Sequence, residues 1–442
     1  MTDRMQTCDC MVRAGLVITQ DDSRTVIADG AVAVDQGIII SVGKAHEMKE
    51  KFIPRSDIDL GKKMLMPGLV NAHCHAPMSL LRGVADDLPL MQWLEKYIWP
   101  IESGLTREMV AIGAELACAE MMRTGTTAFM DGYFHEDVLG EVAESAGLRV
   151  VLGEGFFAFP SPFFATAEDC WQTIESHERR FSQSPFVRNV VTPHAIYTVS
   201  PELLSESYEL ACKLDIPWQI HCAESPAETA QCIELYGMRP LAILESLGLL
   251  NDRVTLAHCV DVLPEEIELL SERCVNVVHN PASNHKLDSG IAPVQAMLDA
   301  GVNVGLGTDG AASNNQLNMF ADMRMAALVG KVQAHDAAAV KAQNALDMAT
   351  RGSAQCIHWE GLGMLVPGAS ADMIALDTES PNLMPMHNPI SQTVYAASGH
   401  EVAMTMVAGH VVYRDGEYSG IDMASLQVRM NEVVKWVRER IS

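Results

Sequence analysis

Four short apolar runs in this chain stop abruptly at an imidazole or a carboxylate. Residues 65–70 lead into Asn71-Ala-His73-Cys-His75, and Pro217-Trp-Gln-Ile leads into His221-Cys-Ala-Glu224. Val254-Thr-Leu-Ala leads into His258, and Val302-Asn-Val-Gly-Leu-Gly-Thr leads into Asp309. His73 and His75 are two apart, so on a strand both point to one side. That spacing suits two imidazoles on one Zn²⁺ or Fe²⁺. Alone it is a weak signal: with 15 histidines in the chain, roughly half an occurrence of His-x-His arises by chance. The three later handovers give it weight. Together they describe one metal site at the C-terminal mouth of a parallel barrel, and hence a metal-dependent hydrolase.

Each member also has a plainer role open to it. His221 can complete the metal face, while Glu224, three residues on, overhangs the pocket. A carboxyl partly shielded from water holds its proton more tightly, which suits a general acid; its other role is a solvated loop glutamate. His258 is either a ligand or a residue that orients the attacking water. Asp309, in Gly307-Thr-Asp-Gly-Ala-Ala-Ser313, can bind metal and accept the proton of that water, or can simply cap the next helix. A second metal would need a bridging anion, usually a modified lysine on a middle strand. The fourth strand ends in Val191-Thr-Pro-His194-Ala-Ile-Tyr197 without one, so one metal is expected.

The elements that must position these residues alternate. Strands ending near His73, Asp131, Glu154, His194, His221, His258, His279 and Asp309 are separated by helical patterns over 106–123, 136–146, 167–181, 201–214, 228–247, 264–272 and 292–300. Eight strands alternating with helices over about 240 residues predict an α/β fold, a (β/α)8 TIM-like barrel. A doubly wound open sheet would string the site-bearing strands along a line instead. Both ends read as β-rich. Strands at 16–19, 31–34 and 38–42 are punctuated by Asp29-Gly30 and Gln36-Gly37, and strands at 372–376, 403–407 and 410–413 surround Ala408-Gly409. The expected division is a composite β-sandwich from 1–66 and 366–442, with a C-terminal helix, around a barrel over 67–365.

Composition narrows the partners. The 442 residues carry a formal net charge of −26, which repels nucleic acids and anionic membranes over long range. No secretory apolar region follows Met1, and no run reaches membrane-spanning length. The expectation is a cytoplasmic protein whose 11 cysteines are reduced and mostly buried, Cys8 and Cys10 included.

The long strings around these residues are more specific than any one motif. Gly68-Leu-Val-Asn-Ala-His-Cys-His-Ala-Pro-Met-Ser-Leu-Leu-Arg-Gly-Val-Ala-Asp-Asp-Leu88, His279-Asn-Pro-Ala-Ser-Asn284 and Gly307-Thr-Asp-Gly-Ala-Ala-Ser-Asn-Asn315 resemble the amidohydrolase superfamily. More closely, they resemble its 5′-methylthioadenosine/S-adenosylhomocysteine deaminases. The resemblance implies one divalent metal per subunit, zinc with Fe²⁺ as the other candidate, on His73, His75, His221 and Asp309. It implies catalytic roles for Glu224, His258 and Asp309. It also implies a purine nucleoside held by Glu102 at the ribose, by His194 at the purine or the sugar, by Trp93 as a lid over the base, and by Glu224, Asp309 and Ser313. A homo-oligomer, dimer or tetramer, is the family's habit.

One departure bears on substrate. Relatives that accept S-adenosylhomocysteine are expected to hold its carboxylate with arginines after the third strand, yet residues 150–178 contain neither Arg nor Lys. Phe156, Phe157, Phe159, Phe163 and Phe164 crowd there instead, five of the chain's 11 phenylalanines. An apolar lid fits a methylthio group better than a zwitterion left unpaired. The competing readings are a hydrolase of a guanine, pterin or triazine ring and, less favoured, a non-catalytic barrel that binds a ligand. A nucleic-acid deaminase is excluded by charge and by the missing His-x-Glu…Pro-Cys-x-x-Cys pattern.

Overall fold

The computed structural model describes residues 5–88, 90–158 and 163–441. Five strands open the chain: β1 (Gln6–Ile18), β2 (Val26–Asp35), β3 (Ile38–Lys44), β4 (Phe52–Asp59) and β5 (Met64–Pro67). The middle carries β6 (Leu69–Cys74), β7 (Thr126–Tyr133), β8 (Arg149–Phe156), β9 (Val187–Asn189) and β10 (Thr192–Pro193). It continues with β11 (Trp218–Cys222), β12 (Val254–His258), β13 (Asn276–His279) and β14 (Val304–Leu306). The last four strands are β15 (Met373–Leu376), β16 (Val402–Val407), β17 (His410–Arg414) and β18 (Glu417–Tyr418).

All pairings from β6 to β14 are parallel. They form two half-rings, β6-β7-β8 with β9 and β10, and β11-β12-β13-β14. β9 and β10 are one barrel strand interrupted at residues 190–191. The halves join where Val191 bridges Trp218 and Ala195 bridges His221. The ring closes between β14 and β6, where the Asp309 N–H donates to His73 O at 3.0 Å and Asn71 Nδ2 donates to Thr308 Oγ1 at 2.7 Å. The expected (β/α)8 barrel is the architecture found, with every site-bearing strand opening at the same end.

The helices start where the capping chemistry places them. Thr106 accepts from Met109 N ahead of Arg107–Arg123, Thr166 and Asp169 form a capping box ahead of Ala167–Phe181, and Ser200 with Pro201 opens Pro201–Leu214. The single helix expected over 228–247 is instead two, Pro226–Tyr236 and Pro240–Ser246. Gly237, at φ 72°, ends the first in the left-handed region, and Pro240 starts the second.

Strands from both ends of the chain share one nine-stranded sheet, in which β5 pairs antiparallel with β15. Its hairpins turn at Gln36-Gly37, Ala408-Gly409 and Asp415-Gly416, where both residues have positive φ, as two-residue type I′ turns require. Asp29-Gly30, read as a turn, lies inside β2. Glycine is needed there because a Cβ at residue 30 would sit 2.5 Å from Val17 Cγ2 across the strand pair. Nine of the 11 cysteines are buried, Cys8 and Cys10 among them, with Cys212 and Cys274 exposed. Among the described residues no helix is long and apolar enough to cross a membrane.

Candidate active site

The C-terminal ends of the barrel strands surround a cavity with about 890 Å³ free of protein atoms, part of it open to solvent. All ten residues expected at the site line it: His73, His75, Trp93, Glu102, His194, His221, Glu224, His258, Asp309 and Ser313. They come from residues more than two hundred positions apart, and only the closed ring brings them together. Ala223, His258 and Asp309 turn out of their strands with φ of 52°, 75° and 60°. Left-handed backbone at non-glycine residues is costly, and such strain collects at functional sites.

Three histidines converge. One ring nitrogen from each of His73, His75 and His221 lies within 4.8 Å of the others. The Nδ1 atoms face acceptors: Gln219 Oε1 at 2.8 Å for His73, Gly132 O at 2.6 Å for His75 and His194 O at 2.6 Å for His221. A carbonyl oxygen only accepts, so each Nδ1 carries a hydrogen and each Nε2 is left to meet the centre. His73 Nε2 is buried without any hydrogen-bond partner, and the Nε2 atoms of His75 and His221 stand 3.4 Å apart. Asp309 Oδ1 completes the cluster at 3.2 Å from His75 Nε2 and 3.8 Å from His73 Nε2. Its other oxygen accepts from Ser283 Oγ at 2.6 Å and Ser313 Oγ at 3.1 Å.

Burial drives His73 down to about 3 and His221 well below the usual imidazole value, so both are neutral. Burial also opposes a charge on His75, but the Asp309 carboxylate prevails and raises it to about 9. Burial likewise works against the Asp309 carboxylate, and the imidazoles of His75, His258 and His73 outweigh it, holding the group well below the ordinary range. Inward lone pairs from neutral His73 and His221, with His75, whose Nε2 proton a bound cation would replace, beside one carboxylate are a donor set for a divalent cation. The orphaned His73 Nε2 fits such an ion and has no other account.

His258 lies beside this trio, its ring centre 5.4 Å from that of His221, with Nδ1 2.8 Å from Asn284 Oδ1. Glu224 is buried, and burial raises its carboxyl above the usual value. Its loop is fixed by Glu228, whose carboxyl accepts the N–H groups of residues 223 and 224 at 3.2 and 2.6 Å. Across the cavity, Glu102 accepts from Tyr133 OH at 2.7 Å, and burial pushes it up to about 7. His194 is held to about 3 by burial and bonds Thr198 Oγ1 at 2.8 Å. Ser313, expected against substrate, turns its hydroxyl to Asp309 and Gly310 O.

The phenylalanine cluster is only partly a lid. Phe157 lines the cavity, and Phe163 stacks at 4.1 Å on Phe134, which also lines it. Phe156 turns into the core against Trp171, and Phe159 lies outside the described residues. No lysine or arginine lines the cavity among the described residues. Sequence reading missed Gln219, Tyr133, Ser283 and Asn284. Gln219 was within reach, being two residues before His221 and so on the same face of its strand. Ser283 and Asn284 sit in the His279–Asn284 string without an assigned role.

The amidohydrolase family profile matches residues 64–412. The chain belongs to that family, whose members are metal-dependent hydrolases. Within it the chain falls among the 5-methylthioadenosine/S-adenosylhomocysteine deaminases: one so named from Nitratidesulfovibrio vulgaris (strain Miyazaki F) is 49% identical over 98% of this chain and 99% of its own. A 5′-deoxyadenosine deaminase from Methanopyrus kandleri is 40% identical over 92% of this chain and 94% of its own. Among solved structures, an adenosine deaminase from Xanthomonas campestris with bound zinc superposes with a TM-score of 0.96 at 38% identity, covering 99% of this chain and all of that one.

Proposed function

We propose that the chain is a hydrolytic deaminase of the adenine ring in 5′-substituted nucleosides. The substrates are 5′-methylthioadenosine and/or S-adenosylhomocysteine, adenosine being a further candidate, and the products are the inosine derivative and ammonia. The reading is supported most by one juxtaposition: a buried acid, Glu224, whose carboxyl is raised above the usual value by burial, lines the same cavity as Asp309, the histidine trio and Glu102. In this reading residues 67–365 are the catalytic unit, and 1–66 with 366–442 support it.

His73, His75, His221 and Asp309 would hold one divalent cation, zinc before Fe²⁺, which when bound supplies the positive charge that makes water nucleophilic near neutral pH. Asp309 takes one proton from the water that attacks C6 of the ring. His258, fixed by Asn284, keeps that water in line. Glu224 gives its proton to N1, which draws electrons from C6 and lets it become tetrahedral. Asp309 then hands its proton to the exocyclic amine, the C6–N bond breaks, and ammonia leaves. Glu224 recovers a proton from the hydroxyl remaining on C6, which becomes the carbonyl. Glu102, with Tyr133 on one oxygen, keeps its other oxygen for the ribose hydroxyls, and the aromatic wall excludes bulk water from the ring.

That no lysine or arginine lines the cavity among the described residues favours methylthioadenosine over the zwitterionic S-adenosylhomocysteine. Glu224→Gln tests the mechanism. It keeps the metal by elemental analysis and loses at least about 100-fold in ammonia release; turnover near the parent's would refute the role of Glu224.

A further inference from the structure

The three histidines of the trio are not held alike. His75 and His221 give their Nδ1 hydrogens to backbone carbonyls, of Gly132 and His194, which no side-chain substitution removes. His73 gives its hydrogen to a side chain, Gln219 Oε1, at 2.8 Å. Gln219 is 2% exposed and belongs to β11, while its Nε2 donates to Ala72 O of β6 at 3.1 Å. Because a backbone carbonyl only accepts, the amide nitrogen must face Ala72, and the oxygen must face His73. A flipped amide would lose the bond to Ala72 and set two buried oxygens against each other. The hydrogen is thus fixed on His73 Nδ1 and the lone pair on Nε2, the buried atom that has no partner.

We infer that Gln219 is a positioning residue that sets the tautomer and ring direction of His73 toward a divalent cation. It is the side chain on which the orientation of one of the three imidazoles depends, and it ties β6 to β11, the two strands that supply the trio. Outer partners of a ligating imidazole control about 10- to 100-fold in metal affinity. The competing role is plain filling of the space between β6 and β11.

Two near-isosteric variants separate these roles. Gln219→Met keeps the volume and removes the acceptor. Gln219→Glu keeps an acceptor for His73, and its second oxygen, protonated, can donate to Ala72 as the amide does. The readout is Zn²⁺ affinity of the metal-free full-length chain in competition with a chromophoric chelator, together with the visible bands of the Co²⁺-loaded chain. Q219M should bind Zn²⁺ about 10- to 100-fold more weakly, with altered Co²⁺ bands, and Q219E should bind within about threefold of the parent or more tightly. Unchanged affinity in Q219M would overturn the inference, as would an equal loss in both variants. Should Q219M not fold, Q219L, which also lacks an acceptor, takes its place: weaker Zn²⁺ binding than in Q219E sustains the inference and equal affinity overturns it. No nucleoside enters the measurement, so failure of the deaminase reading would leave its outcome untouched.

Discussion

The floor and the wall of the cavity are built by different rules. The floor consists of strand ends: His73 and His75 from and after β6, His221 on β11, His258 closing β12 and Asp309 after β14. The Nδ1 atoms of its four imidazoles all have partners, and both Asp309 oxygens are engaged. The wall comes mostly from connections. Trp93 and Glu102 lie in the short helical stretches between β6 and β7, and Phe134 and Phe157 just follow β7 and β8. Polar partners are sparse there and contacts are aromatic, as with Phe157 against His194 at 4.7 Å. In the proposed reaction the polar floor is where bonds are made and broken, and the loop-borne apolar wall selects which molecule arrives.

If that contrast holds, damage to the floor should abolish reaction with every substrate, and damage to the wall should re-rank substrates. The largest effect belongs to His221→Ala. It should lose bound metal in elemental analysis, and turnover of every nucleoside should fall by more than the about 10- to 100-fold that outer partners control. Retained metal and activity would erase the distinction. Next comes Glu102→Ala, which removes the buried acid proposed to meet the ribose. It should cost about 2 kcal/mol, roughly 30-fold in kcat/KM, for nucleosides, and leave any residual action on free adenine unchanged. Equal losses on both would place Glu102 in the floor's role instead.

A smaller effect reads the wall's charge. With Glu102, Glu224 and Asp309 lining the cavity and no lysine or arginine among the described lining residues, an amino-acid tail would bury its carboxylate without a guanidinium or ammonium partner. The unmodified chain should therefore favour methylthioadenosine over S-adenosylhomocysteine by about tenfold or more in kcat/KM. Parity would mean that a cation reaches the pocket from elsewhere.

The smallest effect concerns the support behind the floor. Asp322 accepts from Ala282 N at 3.2 Å and Asn314 Nδ2 at 2.9 Å, clamping together the short helices Pro281–Lys286 and Ala311–Asn314 that carry Ser283 and Ser313. Burial pushes its carboxyl up to about 7. A carboxyl raised in the folded state contributes stability that is complete below its unfolded value and is lost as pH climbs through the folded one. Asp322→Asn should accordingly flatten the fall in unfolding free energy between about pH 5 and pH 8 in denaturant titrations. An unchanged slope would show that this group does not govern it.

How much of this was legible beforehand divides along the same line. The floor's residue types and the barrel that gathers them were readable, because apolar runs ending in His or Asp repeat in order between helical patterns. The partners were harder. Gln219 meets His73 across 146 positions, and nothing near either residue names the other. The helix over 228–247 was read through a break because its apolar periodicity outweighed Gly237 and Pro240. Phe156 and Phe157 differ by one position, and that alternation sends one into the core and the other into the cavity.

Between β5, which belongs to the outer sheet, and β6, which carries His73, there is only Gly68. A Cβ there would lie 2.2 Å from Thr127 Oγ1. The seam between scaffold and catalytic ring is one atom too narrow for any other amino acid. Anyone transplanting this ring into a new host would have to carry the flanking ribbon with it, because a cut at the seam unmoors the strand that presents His73.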